Sequence, residues 1–190
     1  MKTRGNIKHF MYGLALATMA LVMACKSSQP SVEQTLAFNN LETKLKSKSF
    51  KIDVHTALPF TTRATTQVLN QLMQNTGNTA NHITISGYDI TFKNDSISAQ
   101  TPFYGERQLG SGAYNGNLGI AFSDIPNNYS ITKHKKKEAY IIKFNINDKD
   151  DQSEIHRVTI TLFANNSTDI NIIPSHRNNI SYRGQLIDTE

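Results

Sequence analysis

Residues 140–162 read YIIKFNINDKDDQSEIHRVTITL and contain two runs in which every second residue is large and apolar. The apolar positions are Tyr140, Ile142, Phe144 and Ile146 in the first run, and Val158, Ile160 and Leu162 in the second. A period of two places such side chains on one face of a β-strand. The polar stretch 147–153 between the runs predicts a turn. The segment therefore predicts an antiparallel hairpin with one buried face and one solvated face.

The same alternation recurs along the chain. Apolar residues alternate in 50–54, 83–92, 118–122, 170–172 and 180–186, and polar turns separate these runs. The apolar parity changes at Gly87, which predicts a turn or a bulge there. Gly184 lies inside the last run and predicts a bulge or a close backbone contact. The alternation of strands with helices that a doubly wound parallel sheet requires is missing, so the sheet is expected to be antiparallel.

One helix is predicted ahead of these strands. Ser31 and Gln34 have the spacing of a capping box, and apolar residues at 37, 38, 41 and 45 follow at helical spacing, which predicts a helix over 32–46. The stretch 61–81 is rich in Thr, Asn and Gln and predicts a long exposed excursion with at most a short helix near 68–73. The sequence therefore predicts an α+β fold, mainly antiparallel β, in which the N-terminal helix packs on a curved sheet or a small sandwich.

The N-terminus indicates export followed by lipid attachment. Three basic residues within the first eight precede an apolar run at 14–24, whose eleven residues fall short of the roughly 20 that a spanning helix needs. Val22-Met23-Ala24-Cys25 resembles a lipobox, and Cys25 is the only cysteine of the chain. We expect residues 1–24 to be a signal peptide that is removed, 25–30 a tether lipidated at Cys25, and 31–190 a single β-rich domain.

Charge and cysteine content exclude two classes of protein. Removal of the three basic residues of the signal leaves 17 basic residues against 15 acidic residues. This near balance, without a basic stripe interleaved with aromatic residues, argues against a nucleic-acid partner. Because the one cysteine is expected to carry lipid, a disulfide framework is also excluded.

Sequence motifs for catalysis or metal binding are missing. The glycine-rich stretch 105–119 lacks the Gly-Lys-Ser/Thr of a phosphate loop, and no Gly-x-Ser-x-Gly elbow occurs. The acidic stretch 148–154 lacks the glycine and the final glutamate of an EF-hand loop, so a solvated hairpin turn is expected. The histidines at 55, 82, 134, 156 and 176 do not have metal-ligand spacing. The sequence therefore predicts no catalytic residue, no metal and no cofactor.

Two further stretches are open to more than one interpretation. Lys133-His134-Lys135-Lys136-Lys137 is a basic run at the start of a strand, and it is either a solvated turn or a contact for anionic lipid or lipopolysaccharide phosphate. Asp95-Ser96-Ile97 matches a short O-glycosylation pattern, which would place Ser96 at an exposed turn.

Two motifs carry a resemblance to a known family. Thr101-Pro102-Phe103-Tyr104-Gly105 resembles the Leu-Pro-Tyr-Phe-Gly element of the DUF4251 family of uncharacterised Bacteroidetes lipoproteins, with Thr101 in place of leucine and the two aromatic residues exchanged. The stretches 173–177 and 180–184 are similar to the closing motif of that family. The resemblance implies an envelope lipoprotein that is largely β, and it supplies no catalytic residues.

The candidate ligand-binding residues are Phe103, Tyr104 and Arg177. The two aromatic residues are interpreted as core anchors or as a platform for a ligand, and Arg177 is expected to bind carbonyl groups at a turn. The predicted function is a non-enzymatic binding or assembly module anchored to the membrane through acylated Cys25, with an envelope protein or a glycan as partner. The alternative is a hydrolase or other enzyme acting on envelope glycans or peptides. We expect an outer-membrane lipoprotein on the periplasmic face, with the cell surface as the alternative.

Overall fold

A computed structural model describes residues 32–108, 119–134 and 137–187, which form two helices and nine strands. The helices are α1 (Val32–Ser47) and α2 (Arg63–Leu72), and the strands are β1 (Ser49–Pro59), β2 (Ile83–Lys93), β3 (Ser96–Thr101), β4 (Ile120–Asp124), β5 (Asn127–Lys133), β6 (Ala139–Asn147), β7 (Ile155–Phe163), β8 (Ser167–Pro174) and β9 (Ile180–Ile187). The strands make one antiparallel sheet in the order β4-β3-β2-β1-β9-β8-β7-β6-β5. The predicted α+β fold with a curved, mainly antiparallel sheet is confirmed.

A two-residue connection forces the sheet to curl. β4 and β5 are the two outermost strands of the sheet, yet only Ile125 and Pro126 separate them in the sequence. Three trans peptide steps span at most about 11 Å between the Cα atoms of Asp124 and Asn127. In a flat sheet of nine strands the outermost strands would lie about 38 Å apart. The sheet must therefore bend until its first and last strands meet.

The two ends of the sheet meet along β6. The backbone N–H of Lys149 donates to the carbonyl oxygen of Ala121 in β4 at 2.7 Å, and the rings of Phe122 and Phe144 pack edge to face with centroids 6.2 Å apart. β5 pairs with β6 from Asn127, opposite Asn145, onward. β4 and β5 thus both lie beside β6. β4 is hydrogen-bonded to β3, and after Pro126 the chain pairs with β6 as β5.

Helix α1 packs on this sheet through one face. Phe38, Leu41 and Leu45 of α1 are buried, and the ring of Phe38 stacks on that of Tyr140 with centroids 4.9 Å apart. Leu41 and Leu45 belong to the same apolar cluster as the inward-facing side chains of the strands. Burial of each large side chain contributes about 1.5–3 kcal/mol. The predicted packing of the N-terminal helix on the sheet is confirmed.

Several element boundaries differ from the prediction. The helix in the excursion is α2, which starts at Arg63 rather than near residue 68, because Thr62 caps it and accepts from the N–H of Thr65. β5 is not among the predicted alternating runs, but it pairs with β6 despite an exposed side chain at every position. The irregularity predicted at Gly87 is confirmed, since the β1–β2 register shifts there and Gly87 has a φ of 79°.

Within the described ranges, no helix is long and apolar enough to cross a membrane.

Gly184 brings three strands close together. It pairs with Val54 of β1 and Thr168 of β8, and a Cβ atom at this position would overlap the carbonyl oxygen of Asp53. The same Cβ would lie 3.1 Å from the hydroxyl oxygen of Thr168. The close backbone contact that the sequence predicts at Gly184 is confirmed.

Replacement of this glycine should destabilise the sheet. We expect Gly184→Ala to lower the free energy of unfolding by roughly 1–3 kcal/mol, because the backbone of β1 must move to admit a methyl group. Urea denaturation followed by circular dichroism measures the change. Gln185→Ala on the same strand is the control, since Gln185 is exposed and its loss should cost less than about 0.5 kcal/mol. Equal stability of the two variants would contradict the close approach.

Candidate binding site

Three connecting segments converge at one end of the sheet. The bridge between Arg107 and Arg177 joins the segment after β3 to the β8–β9 connection. The N–H of Gln108 donates to the carbonyl of His176 at 2.7 Å, and the N–H of Asn178 donates to the carbonyl of Glu106 at 3.0 Å. The β6–β7 turn lies against both segments. The ionisable residues gathered there are called the charge cluster, and they are Arg107, Asp148, Asp151, Glu154, His156, His176 and Arg177.

Arg177 and Glu154 form the centre of the charge cluster. The Nε atom of Arg177 donates to both carboxylate oxygens of Glu154, at 3.1 and 3.0 Å, and Nη2 lies 2.9 Å from Oε2. Nη1 of Arg177 also donates to the carbonyl oxygen of Gly119 at 2.5 Å. Arg177 is 7% exposed and Glu154 is fully buried. A buried ion pair of this kind is tolerated only because each charge neutralises the other.

Asp148 and His156 form a second buried pair beside the first. Nε2 of His156 lies 2.8 Å from Oδ2 of Asp148, and the N–H groups of Asp150 and Asp151 donate to Oδ1 at 2.9 and 3.0 Å. Burial raises the pKa of the Asp148 carboxyl, but these hydrogen bonds lower it more, so the pKa lies below its ordinary value. The expectation of a wholly solvated acidic turn was wrong, because Asp148 is 2% exposed and Glu154 is buried.

Two triplets in the charge cluster have metal-ligand chemistry. One ligand atom from each of Asp148, Glu154 and His156 lies within 4.8 Å of the others, and Asp151, Glu154 and His176 form a similar group. However, Nη2 of Arg177 lies 2.9 Å from Glu154 and 3.8 Å from Asp148. The guanidinium of Arg177 thus takes the place that a cation would take in the first triplet. In the second triplet Nη2 of Arg107, which lies 3.3 Å from Glu154 and 3.5 Å from Asp151, takes that place. The arrangement fits a structural role, in which ion pairs hold the three connecting segments together. The sequence analysis did not predict it, because its members come from separate turns.

The predicted ligand-binding residues lie at this end of the sheet. The guanidinium carbon of Arg177 lies 5.4 Å from the ring centroid of Phe103, and Phe103 and Tyr104 are both partly buried against the core. Burial raises the pKa of Tyr104. The hydroxyl of Tyr182 donates to the carbonyl of Pro102 at 2.7 Å, which fixes the start of the segment. The structure therefore brings Phe103 and Arg177 together, while a ligand-binding role for these three residues stays a prediction.

A cleft of about 360 Å³ opens in the side of the sheet, and we call it the side cleft. Phe92 and Ile97, which are 3% and 2% exposed, form its floor. The remaining lining residues are Lys48, Asn94, Asp95, Ile125, Pro126 and Tyr129. The cleft lies where the chain leaves β3 after Asp124 and joins β6 as β5. Its existence therefore follows from the change of partner at Pro126.

The walls and rim of the side cleft differ in polarity. Ile125 is 66% exposed and Tyr129 is 37% exposed, so the walls present apolar surface to solvent. Burial nevertheless raises the pKa of Tyr129. At the rim, Nζ of Lys48 lies 2.8 Å from Oδ1 of Asp95. An apolar floor with a few polar groups at the mouth is typical of small-molecule sites.

The sheet carries other depressions of different character. One of about 460 Å³ is lined mainly by polar side chains of β2, β3 and β4, including Asp89, Gln100 and Ser123. Another of about 370 Å³ lies between α1 and the β7–β8 turn, with Asn40, Lys44 and Ala164 at its walls. The side cleft differs from the polar depression because apolar surface predominates in its lining. We therefore take the side cleft as the candidate binding site.

Comparison with known proteins gives one match. A family model described as a domain of unknown function (DUF4251) matches residues 32–186. That range holds both helices, the charge cluster and the side cleft. No curated protein matches the chain, and no solved structure matches it.

Removal of the Arg177 charge should destabilise the folded domain. We expect Arg177→Met to lower the free energy of unfolding by roughly 3–5 kcal/mol, because it leaves the buried carboxylate of Glu154 with only the longer, 3.3 Å contact to Arg107. The double variant Glu154→Gln with Arg177→Met should lose less than the single variant. Urea denaturation measures both. Arg183→Met removes an exposed pair with Asp169 and should cost less than about 1 kcal/mol. A loss of that small size for Arg177→Met would contradict the structural role of the charge cluster.

Proposed function

The chain belongs to the DUF4251 family, and we propose that it serves as a non-catalytic binding module anchored to the outer membrane through acylated Cys25. The ligand is a small amphipathic molecule of the envelope, and it binds in the side cleft. The domain faces the periplasm. The observation that carries this proposal is the side cleft itself, whose floor of Phe92 and Ile97 reaches the buried core.

The lining of the side cleft selects the class of ligand. Contact with Phe92, Ile97 and Tyr129 favours a molecule with an apolar body, because each Å² of apolar surface removed from water contributes about 25 cal/mol. At the rim, Asn94 and Lys48, whose charge is paired with that of Asp95, provide hydrogen-bond donors for a polar head. A molecule that is polar throughout would make no apolar contact with the floor of the cleft. The combination therefore favours an apolar body that ends in a polar group.

The charge cluster supports a structural rather than a catalytic role. Catalysis requires acid and base groups that a substrate can reach in a cleft. Glu154 and His156 are fully buried, and Asp148 is 2% exposed. None of these three residues lines the side cleft. An enzyme acting on envelope glycans or peptides, the alternative class, would need such groups at the cleft.

The lipid anchor has a direct test. We expect Cys25→Ser to move the protein from the membrane fraction to the soluble fraction, because the serine hydroxyl is not acylated at a lipobox. Fractionation of cells and labelling with radioactive palmitate measure the change. Ser27→Ala in the tether is the control and should leave both readouts unaltered. Membrane retention and label incorporation in the Cys25→Ser protein would refute the anchor.

Ligand binding has a test with a defined probe. The probe is 1-anilinonaphthalene-8-sulfonate, which joins apolar rings to one anionic group, and the protein is the soluble chain 26–190. We expect saturable binding at one site, and Ile125→Trp should weaken it about tenfold or more by filling the mouth of the cleft. Ile173→Trp is the matched control, since Ile173 is 43% exposed and does not line the cleft. Equal affinity of both variants would contradict the site.

A further inference from the structure

We propose that the polar depression on β2, β3 and β4 is a second binding site, and that its ligand is a neutral saccharide. The depression has a volume of about 460 Å³, which lies within the range of about 300–1,000 Å³ that is usual for small-molecule clefts. The polar side chains in its lining are those of Asp89, Ser98, Gln100, Ser123, Lys149 and Asp150. The inference depends neither on the anchor at Cys25 nor on the side cleft.

The floor of the depression consists of two rows of residues that cross neighbouring strands. Asp89 of β2 pairs with Gln100 of β3, which pairs with Ala121 of β4, and in the next row Ser98 pairs with Ser123. Along β2 and β3 these positions alternate with buried residues, so their side chains point away from the core. Directly paired residues have Cβ atoms about 4.5–5.5 Å apart. The floor therefore presents closely spaced polar groups to one small ligand.

The β6–β7 turn forms a wall of the depression beside β4. The N–H of Lys149 donates to the carbonyl oxygen of Ala121 at 2.7 Å, which fixes the turn against the strand. The N–H of Asp150 donates to the carboxylate of Asp148 at 2.9 Å, and that carboxylate also contacts buried His156 at 2.8 Å. The charge cluster thus holds the wall in place before a ligand binds. A wall that is already ordered lowers the entropic cost of binding.

Three side chains of the floor have unused hydrogen-bonding capacity. The hydroxyl groups of Ser98 and Ser123 and the amide group of Gln100 make no hydrogen bond to any residue that the structure describes. A hydroxyl group donates one hydrogen bond and accepts others, and an amide side chain also does both. These groups therefore match a ligand whose own groups both donate and accept. The hydroxyl groups of a saccharide have this property.

The charges around the depression exclude an anionic ligand. Lys149 carries one positive charge, whereas Asp89 and Asp150 carry two negative charges. Nζ of Lys51 lies 2.8 Å from Oδ2 of Asp89 and neutralises that carboxylate. The described part of the site therefore has no excess positive charge with which to replace the hydration of a phosphate or a carboxylate. A neutral ligand with many hydroxyl groups satisfies both the charge balance and the polar floor.

The polar depression and the side cleft lie on opposite faces of the same two strands. Phe92 and Ile97 of the side cleft point into the core, whereas Ser98 and Gln100 of the depression point away from it. Among the described residues, the linings of the two sites have no member in common. The domain can therefore bind an amphipathic molecule and a saccharide at the same time.

Isothermal titration calorimetry tests the second site. The protein is the full chain, kept in solution by a detergent without a sugar headgroup, and the probes are maltose, lactose and N,N′-diacetylchitobiose. We expect saturable binding of at least one of these neutral disaccharides. Its affinity should be the same in the presence of saturating 1-anilinonaphthalene-8-sulfonate, because the lining of the polar depression does not favour an anion with apolar rings.

Two variants of the floor should weaken the binding about tenfold or more each. Gln100→Leu removes the amide group, and the double variant Ser98→Val with Ser123→Val removes both hydroxyl groups. The matched control is Gln185→Leu, since Gln185 is exposed and does not line the depression. It lies in the same row as Gln100 but three strands away, at roughly 14 Å. Urea denaturation checks that every variant folds, and the double variant decides the test if Gln100→Leu does not fold.

Each outcome decides the proposal. Weaker binding by the floor variants, together with parental affinity of Gln185→Leu, supports a saccharide site in the polar depression. If none of the three disaccharides binds the parent chain, the class of ligand is wrong. Equal affinity of the floor variants and the control overturns the location. Competition between the disaccharide and 1-anilinonaphthalene-8-sulfonate would also overturn it, because the two probes would then occupy one site.

Discussion

The short link between the outermost strands controls the architecture of this domain. Ile125 and Pro126 join two strands that would lie about 38 Å apart in a flat sheet. Closure brings Phe122 of β4 against Phe144 of β6, and Ala121 accepts a hydrogen bond from the β6–β7 turn. The curl also creates the enclosed face that α1 covers with Leu41 and Leu45. The link therefore keeps the two edges of the sheet together around the hydrophobic core.

Closure leaves three distinct regions around the core. At one end, the charge cluster joins the β6–β7 turn to the segments around Arg107 and Arg177 through buried ion pairs. At the opposite end lie α1 and the start of β6, where the ring of Phe38 stacks on that of Tyr140. The side cleft opens between β3 and β5, because the chain changes partner there. The charge cluster thus stabilises one end of the domain, and the side cleft offers the apolar surface on which the proposed binding function rests.

Sequence periodicity predicted most of the strands and failed where contacts are long-range. The alternating runs in 140–146 and 158–162 became β6 and β7, because period-two burial is a local property. β5 was missed, since all its side chains are exposed and only its pairing with β6 makes it a strand. The burial of Asp148 and Glu154 could not be read from an acidic turn, as it depends on Arg177 from another connection. The side cleft was likewise invisible, because it results from closure of the sheet.

Hydrogen–deuterium exchange with and without saturating 1-anilinonaphthalene-8-sulfonate tests most directly whether the side cleft binds the ligand. The measurement distinguishes the side cleft from the charge cluster, which is the other candidate site. If the side cleft binds the ligand, exchange should slow in β5 and in the β2–β3 turn around Asn94, which line or border the cleft. Exchange near Phe103 and Arg177 should remain unaltered. Slower exchange confined to residues 102–108 and 175–178 would contradict the account and would place the ligand at the charge cluster instead.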